Sequence, residues 1–172
     1  MSNEMHNSRL VVRSAHTGDV PSIRRLVDMF TLDRRLLSKA TVALYEDVPE
    51  FVVAQIGDRV VGCGALHVMW EDLAEVRTLA VDPAEAGKGI GSAILSELLN
   101  RANEFGVQRV FVLTFEVSFF RRFGFEEIDG APVSHAVFEQ LLQSYDEGVA
   151  EFLDLERVKP NTLGNSRLLL LL

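Results

Sequence analysis

Apolar residues recur along this chain in two rhythms, and the switches between them predict its elements. A period near 3.6 places Ile23, Leu26, Val27 and Phe30 at i, i+3, i+4 and i+7 of one helix face. Thr17 or Asp19 is set to cap that helix, and Pro21 falls in its first turn, where proline is tolerated. The same period returns at Ile90, Ile94, Leu95, Leu98 and Leu99, which predicts a helix from Gly89 to Phe105. Apolar runs and alternating stretches predict strands at Leu10 to Arg13, Phe51 to Ile56, Val60 to Trp70, Glu75 to Val81, Arg109 to Thr114, Phe125 to Ile128 and Arg167 to Leu172. Gly57-Asp58-Arg59 predicts a hairpin turn, and the unbroken apolar run from Arg109 predicts a central strand. Further helices are expected around Asp33 to Leu44, from Val117 to Phe123, and from Ser134 to Tyr145. Between Glu147 and Gly164 the pattern is ambiguous, although Val149, Phe152, Leu153 and Val158 would suit a helix. Trp70 and the phenylalanines read as core, and Leu168 to Leu172 as a buried strand.

A helical pair, an antiparallel meander and a helix crossing to a central strand predict an α+β (mixed α/β) fold with a mostly antiparallel sheet. No repeat, linker or boundary interrupts it, so residues 10–172 are expected to form one domain after a disordered polar tail over residues 1–9. With 172 residues, 48% of them hydrophobic, the chain can bury a sizeable core. The net charge of −8 argues against nucleic acid as a partner. No apolar run approaches the ~20 residues that span a bilayer, so no membrane partner is expected. The single cysteine, Cys63, allows no internal disulfide and fits a reducing cytoplasm. Set between Gly62 and Gly64, it reads as a small buried strand residue rather than a nucleophile. The four histidines show no metal-ligand spacing, and no metal is expected.

The richest segment runs from Glu75 to Ser92, EVRTLAVDPAEAGKGIGS. It reads as a strand carrying a carboxylate, a proline-marked turn, a glycine-rich loop and the start of a helix. Gly87 and Gly89 can turn successive N–H groups toward one point, and a helix N-terminus favours an anion there. Lys88 adds a local positive charge, and Gly91 permits close approach. Two familiar phosphate motifs fail. Gly-Lys is followed by Gly89 rather than Ser or Thr, and the third glycine of a dinucleotide fingerprint is replaced by Ser92.

The strand Leu79-Ala80-Val81-Asp82-Pro83 and the loop Ala86-Gly87-Lys88-Gly89-Ile90-Gly91 resemble motif A of the GNAT superfamily of N-acetyltransferases. Phe119-Phe120-Arg121-Arg122-Phe123-Gly124-Phe125 resembles the family's motif B. The blocks VVGCGALHV, EVRTLAVDP, RVFVLTFEVSFFRRFGF and KPNTLGNSRLLLLL extend the likeness, from about Leu10 to Leu172, to short N-acetylglutamate synthases of the actinobacterial type. The resemblance implies acetyl-CoA as cosubstrate and acetyl transfer to the α-amino group of L-glutamate or L-glutamine, the first step of arginine biosynthesis. It implies that Gly87, Lys88, Gly89, Ile90, Gly91 and Ser92 hold the cofactor's pyrophosphate. A strand bulge would turn the backbone of Leu79, Ala80 and Val81 toward the thioester, where one oxyanion donor is typically worth about 3–4 kcal/mol. Glu75 matches the family's general base, with Glu71 a weaker alternative. Ala86 stands where the loop usually has Gln or Arg, and Phe120 where many members carry a tyrosine acid. A thiol with a pKa of about 8.5 leaves near neutral pH without that acid.

Arg77 shares a strand face with Glu75 and is either a clamp for substrate carboxylate or an ion-pair partner of Glu75 or Glu71. Lys39, Thr114, Asn165 and Ser166 are the other candidate substrate contacts, and a homodimer is a family-level expectation. Two readings stay open beside the amino-acid acetyltransferase. One is a GNAT enzyme for another small amine or a protein N-terminus. The other is an acetyl-CoA-binding module without catalysis.

Overall fold

The computed structural model describes residues 9–31, 39–158 and 164–172. Seven strands form a mixed sheet: β1 (Leu10–Ser14), β2 (Phe51–Ile56), β3 (Arg59–Trp70), β4 (Leu73–Val81), β5 (Arg109–Thr114), β6 (Glu126–Glu127) and β7 (Ser166–Leu171). Their order is β1-β2-β3-β4-β5-β7-β6. The β4/β5 pair is parallel, and β1/β2, β2/β3, β5/β7 and β6/β7 are antiparallel. The predicted α+β class with a mostly antiparallel sheet is the one observed. Six α-helices occur among the described residues: α1 (Val20–Thr31), α2 (Thr41–Glu46), α3 (Ile90–Phe105), α4 (Val117–Arg121), α5 (His135–Leu141) and α6 (Glu147–Phe152).

The described residues divide into two compact units, one of 9–31, 39–66 and 78–101, the other of 67–77, 102–158 and 164–172. The sequence signalled no boundary, because the division falls inside β3, β4 and α3 rather than in a linker.

In the first unit, Ile23, Leu26 and Val27 of α1 pack with Leu44, Phe51, Val53 and Cys63, so the predicted helix face is the buried one. The cap differs in detail. Thr17–Asp19 forms a 3-10 turn ahead of α1, in which Asp19 accepts from His16 N–H at 2.7 Å and pairs with Arg13. A Cβ on Gly62 would stand 2.7 Å from Ile94 Cδ1, and one on Gly64 2.8 Å from Ile94 Cγ2. The two glycines around Cys63 therefore let α3 lie close against β3.

In the second unit, Phe111 of β5 meets Phe152 of α6 edge-on at 4.9 Å, within a cluster that includes Met69, Leu73, Leu141, Val149 and Leu153. β5 has the bounds expected of it and lies between β4 and β7.

Several expectations need correction. Trp70 is 38% exposed, because Val68, Met69 and Trp70 alternate across the pleat and only Met69 faces inward. Phe105 and Phe115 are exposed too. On β7 only Leu168 is fully buried, and Leu171 and Leu172 are exposed. The helix after Ser134 stops at Leu141, and the strand expected over Phe125 to Ile128 contracts to Glu126–Glu127. Of the helix expected over Asp33 to Leu44, the described part begins at Thr41. Residues 32–38, with Arg34 and Arg35, lie outside the described residues, as do residues 1–8 of the expected tail.

Candidate active site

The first unit holds the glycine loop. β4 begins at Leu73, two residues earlier than expected, and runs to Val81. Within it Thr78 has φ +55°, a conformation rare for a β-branched side chain. That local break in the extended backbone sits immediately before Leu79, Ala80 and Val81. After the strand, Asp82 N–H donates to Val61 O at 2.8 Å, and the Asp82 carboxylate accepts from Ala84 N–H at 3.0 Å. Arg25 and Arg59 pair with the same carboxylate. The Ala84 N–H above all, with Arg25 beside it, holds the Asp82 pKa below the usual carboxylate range. Asp82 thereby fixes the turn into the loop.

Gly87 and Gly89 have φ of +78° and +76°, and nothing lies within 4 Å of the Cβ position of either. Backbone geometry, not crowding, therefore requires glycine at both positions. The loop from Ala86 to Gly89 is exposed, and α3 follows with no acidic residue in its first turn. Ile90 points inward, toward Gly62, so it can serve a ligand only through its N–H. Lys88 pairs with Glu85. Lys39, in the same unit, reaches Asp47 at 3.5 Å.

The second unit holds the carboxylates. Glu75 is 5% exposed, the third residue of β4 rather than a solvated strand end. Burial pushes its pKa up, while Arg77 pulls it back. Arg77 Nε donates to Glu75 Oε2 at 3.0 Å, and Nη1 reaches Asp146 Oδ1 at 2.7 Å. Of the two roles open to Arg77, the ion pair with Glu75 is present. Glu71 lies in an exposed turn.

Sequence reasoning missed three members of this group, all at α6. Asp146 caps that helix, its Oδ1 accepting from Val149 N–H at 3.0 Å as well as meeting Arg77. Gly148 lies against the Arg77 guanidinium. Glu151 is 9% exposed, and burial, with Glu75 next, pushes its pKa up to about 7. The available signal was an Asp three residues before Val149, at capping distance.

Thr114 and Ser166 are direct partners in the β5/β7 register, so the structure brings these two predicted residues together. Thr114 Oγ1 accepts from Glu116 N–H at 2.9 Å. Asn165 directly precedes Ser166 on the chain, and its Oδ1 is buried with no hydrogen-bond partner among the described residues. Arg167 spans the Phe111 ring at 4.9 Å and donates to the carbonyls of Gly130, Glu151 and Phe152. Phe120 is buried edge-on against Phe119 and Phe125, an apolar environment with no proton to give. Cys63 is buried, which pushes its thiol up to about 12 and leaves it inert as a nucleophile. No group of three or more potential metal ligands occurs among the described residues. None of the described helices is long and apolar enough to cross a membrane.

Comparison with known proteins bears on this arrangement. The chain is 57% identical to an amino-acid acetyltransferase of Mycobacterium tuberculosis over the full length of both. A crystal structure of Rv2747 from Mycobacterium tuberculosis, in complex with CoA and a second ligand, matches with a TM-score of 0.92 and 59% identity. That match covers 94% of this chain and 99% of the other. An N-acetylglutamate synthase of Neisseria gonorrhoeae, complexed with coenzyme A and N-acetyl-glutamate, shares the fold at 22% identity and a TM-score of 0.74. There the match covers 94% of this chain but 34% of the larger protein. The model of the Acetyltransferase (GNAT) family matches residues 22–125, more than half of the sequence, and this chain belongs to that family.

Proposed function

We propose that the protein transfers the acetyl group of acetyl-CoA to the α-amino group of L-glutamate or L-glutamine, releasing CoA and the N-acetyl amino acid, as the first step of arginine biosynthesis. The observation that carries this reading is a single strand, β4. It bears a buried carboxylate at Glu75 and leads, past Thr78, into two left-handed glycines at the head of a sixteen-residue helix. The full-length likeness to an amino-acid acetyltransferase supports the same assignment.

The residues present fit acetyl-CoA. Its pyrophosphate needs several N–H donors and no nearby carboxylate. The exposed loop at Gly87, Lys88 and Gly89, with the N–H groups of Ile90, Gly91 and Ser92, offers the donors; α3 opens with no acidic side chain, and the Glu85 carboxylate beside the loop is already paired with Lys88 and Arg59. Acetyl-CoA supplies the activated acyl group as a thioester. The protein's part is then to take a proton and to stabilise charge. Glu75 receives the proton of the attacking amine, directly or through one water. Its burial raises its basicity, the direction that favours a general base. The family resemblance assigns stabilisation of the developing oxyanion to the backbone N–H groups of Leu79, Ala80 and Val81, and the Thr78 break just before them supports that assignment. Phe120 has no proton to donate, and a thiol with a pKa of about 8.5 leaves near neutral pH without such an acid.

Lys39, Thr114, Asn165 and Ser166 are the proposed contacts to the amino acid. The support is strongest for Asn165, whose buried Oδ1 is an acceptor suited to an amine or amide donor. A cytoplasmic homodimer is the proposed setting, on family grounds and on the single buried cysteine. The test is thiol release from acetyl-CoA across a panel of amino acids. Stimulation by glutamate or glutamine above all others is expected, and none by either would overturn the assignment.

A further inference from the structure

We propose that Arg77 is a positioning residue: its guanidinium, seated on Asp146 and Gly148 at the start of α6, holds the Glu75 carboxylate in place to receive the amine proton. This rests on the reading of Glu75 as the base.

The geometry opposes a clamp for substrate carboxylate. A bidentate grip requires two adjacent donors on one edge of the guanidinium. Nε is committed to Glu75 at 3.0 Å and Nη1 to Asp146 at 2.7 Å, so each edge already has one donor engaged. The Arg77 side chain is 7% exposed. Beneath it lies Gly148. A Cβ there would stand 2.5 Å from Nη2 and 2.8 Å from Nε, and closer still to Cζ. Glycine is a poor helix former, yet it occupies the second residue of α6. The flat seat it gives the guanidinium explains why. Asp146 is fixed in turn, because the same Oδ1 that meets Arg77 caps α6 through Val149 N–H at 3.0 Å. The helix end, the aspartate, the arginine and the base thus form one connected chain of contacts.

The charges around Glu75 give Arg77 its leverage. Asp146 and Glu151, from the start and body of α6, act against its ionisation. His67 of β3 acts for it, as does Arg167 of β7. The β5 residue in register with Glu75 is Phe111, which is apolar. Arg77 is the cation in direct contact, and it opposes the upward push of burial. Without it, burial and the neighbouring carboxylates would act on Glu75 with no contacting guanidinium to oppose them, and the carboxyl would hold its proton more tightly.

The experiment is a carbon-13 NMR titration of the Glu75 carboxyl, assigned by its loss in Glu75→Gln, alongside steady-state kinetics across pH. Wild type, Arg77→Gln and Gly148→Ala are compared. Arg77→Gln is expected to raise the Glu75 titration and the acid limb of kcat/KM by about one pH unit or more. The same variant should lower kcat near pH 7 by about ten-fold, with KM for the amino acid changed by less than about three-fold. Gly148→Ala is expected to move both titrations the same way, by less. A ten-fold or larger rise in KM with the titration and acid limb unmoved would make Arg77 a clamp and overturn the proposal. If either variant fails to fold, Arg77→Lys, which keeps the charge but not the fork, decides the matter. It should leave the acid limb near that of wild type while lowering kcat, whereas a rise in KM alone again means a clamp. Should wild type acetylate no amino acid, the proposed function falls. The NMR titration still rules on Arg77, since it needs no turnover.

Discussion

The glycine loop and the Glu75 group are built from opposite materials. The loop is backbone: Gly87 and Gly89 in left-handed conformations, an exposed turn and the head of α3. Its one ammonium, Lys88, is answered by Glu85 at the surface, where such pairs are worth little. The Glu75 group is side chains: one guanidinium among buried or half-buried carboxylates, drawn from β4 and from α6 some seventy residues later. Oriented amides keep their charge distribution at any pH, so a site made of them holds an anion without depending on proton balance. A buried acidic cluster does the reverse. Its members set one another's ionisation, which suits a group that must gain and lose a proton. The two regions should therefore fail separately and in different observables.

The largest separation is expected from Glu75→Gln. It keeps the shape and removes the base, so kcat should fall roughly 100-fold or more. The Kd for CoA, measured by calorimetry with no amino acid present, should stay within about two-fold of wild type, since the donors assigned to it are amides of the loop. A comparable loss of CoA affinity would show that the two regions are not independent.

The same contrast governs how far the sequence could be read. A backbone site is written locally. Gly87 and Gly89 sit two positions apart between a strand and a periodic helix, and their φ values of +78° and +76° are what that spacing suggested. β5 was legible for a similar reason: a strand buried on both faces reads as an unbroken apolar run, and Val110, Phe111 and Val112 are buried in succession. Glu75 was found through its strand, but its burial was not, because a carboxylate in a sequence reads as solvated by default. The α6 partners were hidden for a sharper reason. Val149, Ala150, Glu151 and Phe152 are all buried in succession, so the helix shows no one-sided stripe and the stretch looked aperiodic. Its burial comes from packing against Phe111 and Leu73, which are remote in sequence. Asp146 and Gly148 gain meaning only from a guanidinium that the fold brings to them.

A smaller effect, in the other direction of the contrast, is expected from Gly89→Ala. No atom crowds the new methyl group, so the cost is the left-handed φ alone, about 1–2 kcal/mol for an L-residue. If the loop relaxes to avoid that cost, its amides turn away from their common point. The Kd for CoA should then rise roughly 5–30-fold, the equivalent of that energy. The Glu75 titration and the acid limb of the rate should not move. A shifted acid limb would mean that loop conformation reaches the carboxylate group.

The smallest effect on function tests the acidic cluster by itself. Glu151 is buried with a pKa of about 7, against about 4.3 for a glutamate in an unfolded chain. The folded state therefore binds this proton more tightly than the unfolded state does. Its contribution to stability is fully present below the unfolded value and is lost as pH rises through about 7. Glu151→Gln keeps a neutral group in the same place at every pH. The variant should lie near wild type in Tm at pH 4.5 and exceed it at pH 8 by several degrees, since a gap from about 4.3 to about 7 is worth on the order of 3–4 kcal/mol. It also removes a carboxylate that opposes ionisation of Glu75. The acid limb of kcat/KM should accordingly move down by less than about one pH unit, opposite in direction to the effect of Arg77→Gln. Thermal melts at the two pH values and a rate profile measure both signs in one variant. Equal Tm differences at pH 4.5 and pH 8 would show that Glu151 is ionised throughout, and that the cluster carries one proton fewer than its burial implies.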